Sequence, residues 1–148
     1  TNDAPGAVTR LVDMGVEPFL VASSVTGILA QRLVRAICKD CKEAYSPSDQ
    51  ILHELGIADA KNIKFSRGKG CDECMNTGYK GRLGIFELVL PNDEIRALTV
   101  AKASSNEIRK AAIRSGMKTT QEDGIEKVKA GITTLEEVLR VTQEEEVK

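Results

Sequence analysis

Four cysteines constrain this chain more than any other feature. Cys38 and Cys41 flank Lys39-Asp40, Cys71 and Cys74 flank Asp72-Glu73, and no cysteine is left over. A two-residue gap lets both sulfurs of a pair turn toward one ion. Two such pairs about thirty residues apart have the sequence form of a closed four-thiolate zinc site. Zn²⁺ takes tetrahedral ligands with sulfur at about 2.3 Å, and the second pair completes the sphere without leaving a position for water. A site of that kind shapes a chain and does no chemistry. It clamps two remote stretches together, so metal-binding free energy becomes folding free energy.

Other chemistries use similar residues. A thioredoxin-like redox site has one Cys-x-x-Cys rather than two matched pairs. Two disulfides call for an oxidising compartment, and no signal peptide is visible. An iron–sulfur cluster also takes four thiolates, and spacing alone does not separate iron from zinc. Zinc on Cys38, Cys41, Cys71 and Cys74 is the reading adopted.

The 148 residues suffice for one domain with a real core or for two small lobes. A formal net charge of −1 provides no global basic field for nucleic acid. Zinc with four thiolates carries a local charge of about −2. Arg35, Lys39, Lys42, Lys69, Lys80 and Arg82 lie near the ligands in sequence and are expected to offset it. The absence of Trp and the scarcity of other aromatics weigh against a base-stacking platform. The richest apolar run, Phe19 to Ile37, is broken by Ser23, Ser24, Thr26, Gln31, Arg32 and Arg35, so no transmembrane segment is expected. The start, Thr1-Asn2-Asp3, lacks Met and reads as a cut inside a longer protein.

Asp3 is placed to cap a first helix with Pro5 in its opening turn. Val8, Leu11 and Val12 share its apolar face and Gly15 ends it. A second helix opens at Pro18 and is expected to stop near Gly27. Residues Ile28 to Ile37 fit helix or buried strand equally well. Ser46-Pro47 reads as the start of a helix burying Ile51, Leu52 and Leu55, with Gly56 at its end. His53, the sole histidine, is expected to be an exposed helix residue. Ile63 and Phe65 suggest a short strand into the second cysteine pair, Asn76 to Arg82 a turn-rich loop, and Ile85 to Leu90 a strand.

The remainder reads as helical. A short helix spans Asp93 to Val100. Ser104 with Glu107, Thr119 with Glu122, and Thr133 with Glu136 have capping-box spacing. Three apolar stripes follow: Ile108, Ala111 and Ala112; Ile125, Val128 and Ile132; Leu135, Val138 and Leu139. Glu144 to Glu146 form an acidic tail. No Gly-x-x-x-x-Gly-Lys-Ser/Thr phosphate loop is present, and Gly68-Lys69-Gly70-Cys71 has the wrong spacing for one. No Ser/His/Asp set and no His-Glu-x-x-His occur. The chain as given is expected to catalyse nothing by itself.

Thr1 to Ala4, Thr9 to Leu20, Ala30 to Arg35 with Cys38 and Cys41, Gly70 to Cys74 with Gly78 to Glu87, and Gly131 to Val138 form a joint pattern. Together they resemble the C-terminal part of secretion-type ATPases, the type II secretion E-protein and its relatives that drive type IV pilus assembly. The resemblance covers nearly the whole chain. It implies a fragment of mixed α/β (α+β) class: a remnant of the ATPase core over 1–37, a tetracysteine zinc ribbon lobe over 38–82, and a strand plus C-terminal helical bundle over 83–148. It implies that Ile28–Ile37 is largely strand and completes the core sheet.

It further implies that the parent is a hexameric ATPase, cytoplasmic and peripheral at the bacterial inner membrane. Its partners would be neighbouring ATPase subunits and an inner-membrane platform protein. ATP and Mg²⁺ would bind only the full-length parent, through motifs upstream of this chain, and Thr1 and Asn2 would end the family's histidine box. The zinc lobe would act as a rigid arm, and the helical bundle would transmit nucleotide-dependent motion. A different class of function, a stand-alone zinc-ribbon module binding nucleic-acid phosphates through Arg67, Lys69, Lys80 and Arg82, is the alternative; near-neutral charge disfavours it. A purely structural fragment is a third.

Overall fold

The computed structural model describes residues 3–142, so Thr1, Asn2 and the acidic tail lie outside the described residues. Helix α1 spans Ala4–Asp13. The Asp3 carboxylate accepts the Gly6 N–H at 3.1 Å, Pro5 sits in the first turn, and Gly15 (φ +98) follows the last turn. Helix α2, Pro18–Ser24, stops short of Gly27 because the chain is already extended at Val25. Two successive β-branched residues, Val25 and Thr26, favour that change. The ambiguous stretch then resolves as strand β1, Ile28–Ile37.

Strand β2 (Lys42–Ala44), helix α3 (Asp49–Glu54) and a 3-10 turn at Ala60–Asn62 lead to strand β3 (Ser66–Gly68). The long strand β4 covers Tyr79–Val89. Helices α4 (Asp93–Val100), α5 (Ser105–Arg114), α6 (Thr120–Lys129) and α7 (Leu135–Thr142) complete the order. Strands β1 and β4 form one two-stranded sheet; β2 and β3 form another. The latter pair is antiparallel, with Lys42 opposite Gly68, Glu43 opposite Arg67 and Ala44 opposite Ser66. The mixture of helix and strand agrees with the expected α+β class.

Two compact units are present: Thr1–Gln31 with Phe86–Thr120, and Arg32–Ile85 with Gln121–Lys148. In the first, Ala4, Val8, Val21, Val89, Ile95, Ile108, Ala111, Ala112 and Met117 form the core. Ser104 and Glu107 make the reciprocal capping box their spacing suggested. Asn92, not singled out in the sequence, caps α4 by accepting the Ile95 N–H at 2.9 Å. In the second, Ile51, Leu55, Phe65, Val128, Leu135 and Val138 are buried together.

Several sequence expectations shift. The cap of α3 is Ser48, which accepts the Ile51 N–H, and not Ser46; Pro47 lies outside the helix and holds the chain extended ahead of the cap. The strand expected at Ile63 and Phe65 begins one residue after Phe65, where pairing with β2 starts. Strand β4 opens at Tyr79, inside the stretch read as a loop, because pairing tolerates Gly81 and Gly84 within it. The cap of α7 is Thr134, whose hydroxyl accepts the Glu137 N–H at 3.2 Å. Thr133 instead donates to the Arg35 carbonyl at 2.8 Å, a partner no local pattern announces. Ile132, assigned to an apolar stripe, is 41% exposed.

The one-residue shift at α7 buries Glu137. Its carboxylate accepts the Arg35 N–H at 2.8 Å, Arg35 Nε at 3.0 Å and Nη2 at 2.8 Å, and Arg140 Nε at 3.1 Å and Nη2 at 2.8 Å. Burial pushes this carboxyl up, but the hydrogen bonds from Arg140 and Arg35 outweigh it and hold it at about 2, against an ordinary 4.5. Close by in the same unit, the end of β3 meets the start of β4 backbone to backbone. A β-carbon on Gly68 would overlap the Gly78 carbonyl, and one on Gly78 would come within 2.5 Å of the Gly68 oxygen.

Two outcomes follow from these contacts. Gly68→Ala should destabilise the second unit by about 2 kcal/mol or more, since the obstructing atoms are backbone; thermal unfolding reads this directly. Because the Glu137 pKa is lowered on folding, its stabilisation is complete above pH 4.5 and is lost as pH falls toward 2. Glu137→Gln should cost about 1–3 kcal/mol at neutral pH and flatten the decline of melting temperature in that acid window.

Candidate metal centre

Each cysteine pair sits on a turn between strands. Cys38 follows the last residue of β1 and Cys41 immediately precedes β2. Cys71 lies three residues beyond β3, and Cys74 lies in the turn that leads into β4. The pairing of β2 with β3 brings the two turns face to face. Two backbone bonds lock them: the Cys38 N–H donates to the Gly78 carbonyl and the Lys69 N–H to the Cys41 carbonyl, both at 2.9 Å. The second turn is wound tightly. Asn76 N–H donates to the Cys71 carbonyl at 2.8 Å, the Thr77 hydroxyl to the Cys74 carbonyl at 2.7 Å, and Met75 and Asn76 both adopt positive φ. That conformation leaves Met75 84% exposed.

The four Sγ atoms all lie within 4.8 Å of one another. Three separations are 3.8 Å for Cys38 and Cys71, 3.8 Å for Cys41 and Cys74, and 3.7 Å for Cys71 and Cys74. A metal–sulfur length of about 2.3 Å puts tetrahedral corners about 3.8 Å apart. The sulfurs are therefore already at the spacing of one tetrahedral site, and the cluster could hold a metal ion.

Backbone N–H groups supply the remaining order. Gly70 N–H donates to Cys41 Sγ at 3.2 Å, Cys71 N–H to Cys74 Sγ at 3.3 Å, and Gly78 N–H to Cys74 Sγ at 3.2 Å. Such bonds orient sulfur lone pairs and favour thiolate. Burial pushes the Cys74 thiol up, but the Cys71 and Gly78 N–H groups and the adjacent sulfurs outweigh it and bring it down to about 6. Burial instead pushes Cys41 up to about 12. A full set of thiolates thus needs a cation among the sulfurs to compensate their mutual repulsion.

Two of the charges expected to offset the cysteines, Arg35 and Lys80, have specific partners, and so does Arg67. Arg35 binds Glu137 and lies over the Tyr79 ring, 4.2 Å from its centroid. Arg67 pairs with Glu43 at 3.1 Å, and Lys80 with Glu73 at 3.3 Å. His53 is exposed on α3, as expected, and is not part of the cluster. Sequence reasoning missed the Gly70 and Gly78 amide donors. Both glycines adopt positive φ beside a cysteine turn, a conformation glycine admits more readily than other residues.

The chain matches the family model of the type II/IV secretion system protein over residues 1–140. It is 49% identical over 146 residues to the type IV pilus assembly ATPase PilB of Thermus thermophilus, covering 97% of this chain and 16% of that protein. It is 50% identical over 145 residues to the type II secretion system protein E of Pseudomonas aeruginosa, covering 98% of this chain and 29% of that protein. The type II secretion system ATPase E of Vibrio cholerae is 46% identical over 144 residues, covering 97% of this chain and 28% of its own length. The chain spans less than a third of the length of these relatives. Among the described residues no helix is long and apolar enough to cross a membrane. Near-half identity across almost the whole chain, with the family match over nearly the same span, makes this chain a member of the type II/IV secretion system protein family.

Proposed function

We propose that this chain is the C-terminal, zinc-binding region of a hexameric secretion or pilus-assembly ATPase. On this reading residues 1–37 are a remnant of the ATPase core, 38–82 the zinc lobe, and 83–148 a strand followed by the helical bundle. ATP and Mg²⁺ bind the parent upstream of Thr1. The region acts as a structural and coupling module at the inner-membrane face, between neighbouring subunits and a platform protein. The observation that carries the reading is the tetrahedral spacing of four sulfurs in a chain about half identical to proteins named as ATPases of these systems.

Cys38, Cys41, Cys71 and Cys74 are the ligands. Zinc in such a shell supplies cross-linking and no reaction. The chain's own groups do the rest. Gly70, Cys71 and Gly78 amides fix the sulfurs, and the β2–β3 pairing fixes the turns. The lobe is thereby a stiff arm rather than a flexible loop. The nucleic-acid alternative loses support, because two of its four cations, Arg67 and Lys80, are held by Glu43 and Glu73.

Elemental analysis of the purified protein should find one zinc per chain. Zinc peptides of this type bind with free energies on the order of 10–16 kcal/mol, so loss of a ligand should be severe. Cys71→Ser, or chelation of the unmodified protein, should empty the site and unfold the lobe. In the full-length protein the same substitution should abolish pilus or pseudopilus assembly. Assembly at the normal level by a protein verified to be metal-free would contradict the arm model. Binding to DNA with a steep salt dependence would instead favour the nucleic-acid alternative.

A further inference from the structure

Both tyrosines of this chain line one cavity in the second unit. The cavity measures about 180 Å³, and Tyr45, Tyr79, Glu136, Arg67 and Thr77 form much of its wall. Tyr45 follows β2, Tyr79 opens β4, and Glu136 lies in the first turn of α7. A cavity of about 150 Å³ accepts a benzene-sized group, so one planar head group with part of its stem fits here.

The polar groups of the wall differ in what they leave open. The Thr77 hydroxyl is committed to the Cys74 and Tyr79 carbonyls and to the Tyr79 N–H. The Tyr79 hydroxyl is bonded to Thr134 at 2.8 Å. Tyr45 donates its phenol hydrogen to the Glu136 carboxylate, whose oxygens lie at 2.9 and 3.0 Å. Burial, and then this carboxylate, push the Tyr45 phenol above its ordinary range, so it stays a donor. Among the described residues the Glu136 carboxylate has no other partner. A carboxylate offers about four acceptor sites, and a single phenol hydrogen leaves most of them open.

The neighbouring arginines are engaged elsewhere. Arg140, four residues along α7 and so on the same side of the helix, bonds to Glu137 instead. Arg35 bonds to Glu137 as well, and Arg67 pairs with Glu43 at 3.1 Å, which offsets the cation in the cavity wall. Planar cations already suit these two rings. The Arg35 guanidinium lies 4.2 Å from the Tyr79 centroid, and that of Arg67 lies 5.3 Å from the Tyr45 centroid.

We propose that the cavity lined by Tyr45, Tyr79 and Glu136 receives one arginine side chain of a partner protein. The guanidinium sets parallel N–H donors against the Glu136 carboxylate, and its plane rests against the tyrosines. An anionic ligand would meet Glu136 with like charge, and a neutral ring would leave the carboxylate unpaired. The site involves no nucleotide and stands apart from the ATPase reading.

Because the chain has no Trp, its tyrosine emission comes from this cavity wall alone. Titration of the zinc-loaded protein with N-acetyl-arginine amide, a blocked model of a chain arginine, should change that emission saturably, with Kd about 1–10 mM for one charge-assisted contact. The neutral isostere N-acetyl-citrulline amide should give no saturable change, and N-acetyl-lysine amide should bind several-fold more weakly. Glu136→Gln, at an exposed position and with an acceptor kept for Tyr45, should weaken binding of the arginine amide about tenfold. No saturable change with the arginine amide, equal binding of the citrulline or lysine amide, or undiminished binding to a Glu136→Gln protein that melts normally would overturn the proposal. Tighter binding of free arginine than of the blocked amide would overturn the partner-protein source, because it would mean that the cavity recognises backbone charges that a chain residue lacks.

Discussion

In the second unit, sulfur atoms from two remote turns converge on a common centre. The three-residue pairing of β2 with β3 is too short to hold by itself. It is supported on one side by the turn-to-turn amide bonds and on the other by packing of Phe65 and Leu55 with Val128, Leu135 and Val138. Closing a loop of this length has an entropic cost that a weak ladder does not recover. A metal ion held by all four sulfurs would supply a four-point cross-link that does.

Both units also contain a carboxylate withdrawn from water, and the two are stabilised differently. Glu87 is surrounded by amide and hydroxyl donors with one guanidinium at longer range. Glu137 is gripped by two guanidinium groups that remain about half exposed. The first arrangement organises backbone, because its donors are the leading residues of helices. The second organises side chains, and leaves Arg35 free to lie across Tyr79, whose hydroxyl meets Thr134 at 2.8 Å. Buried ions without such complete partnering would be strongly unfavourable.

Local rules carried most of the fold. The cysteine spacing, the caps at Asp3 and Ser104 and the apolar stripe at Ile108, Ala111 and Ala112 were legible because each is encoded within a few residues. Glu87 was legible in principle. Ile85, Glu87 and Val89 alternate along β4 and share its buried face, so strand periodicity alone places an acid indoors. Glu137 was not. Its partner Arg35 comes from another strand, and the choice between Thr133 and Thr134 as cap is decided by the bond that Thr133 makes to that same residue. Strand β1 was undecidable from periodicity, since an apolar run of that length suits either regular structure; the family resemblance resolved it.

The contact between Gly68 and Gly78 has a genetic consequence. Any base change in a glycine codon that alters the amino acid adds at least one carbon, and here each added carbon meets backbone of the opposite residue. Neither position can offer relief to the other, because a larger residue at one leaves the partner no smaller alternative. Compensatory evolution is closed to this pair, so the lineage must carry the two codons together or rebuild the crossing from new segments.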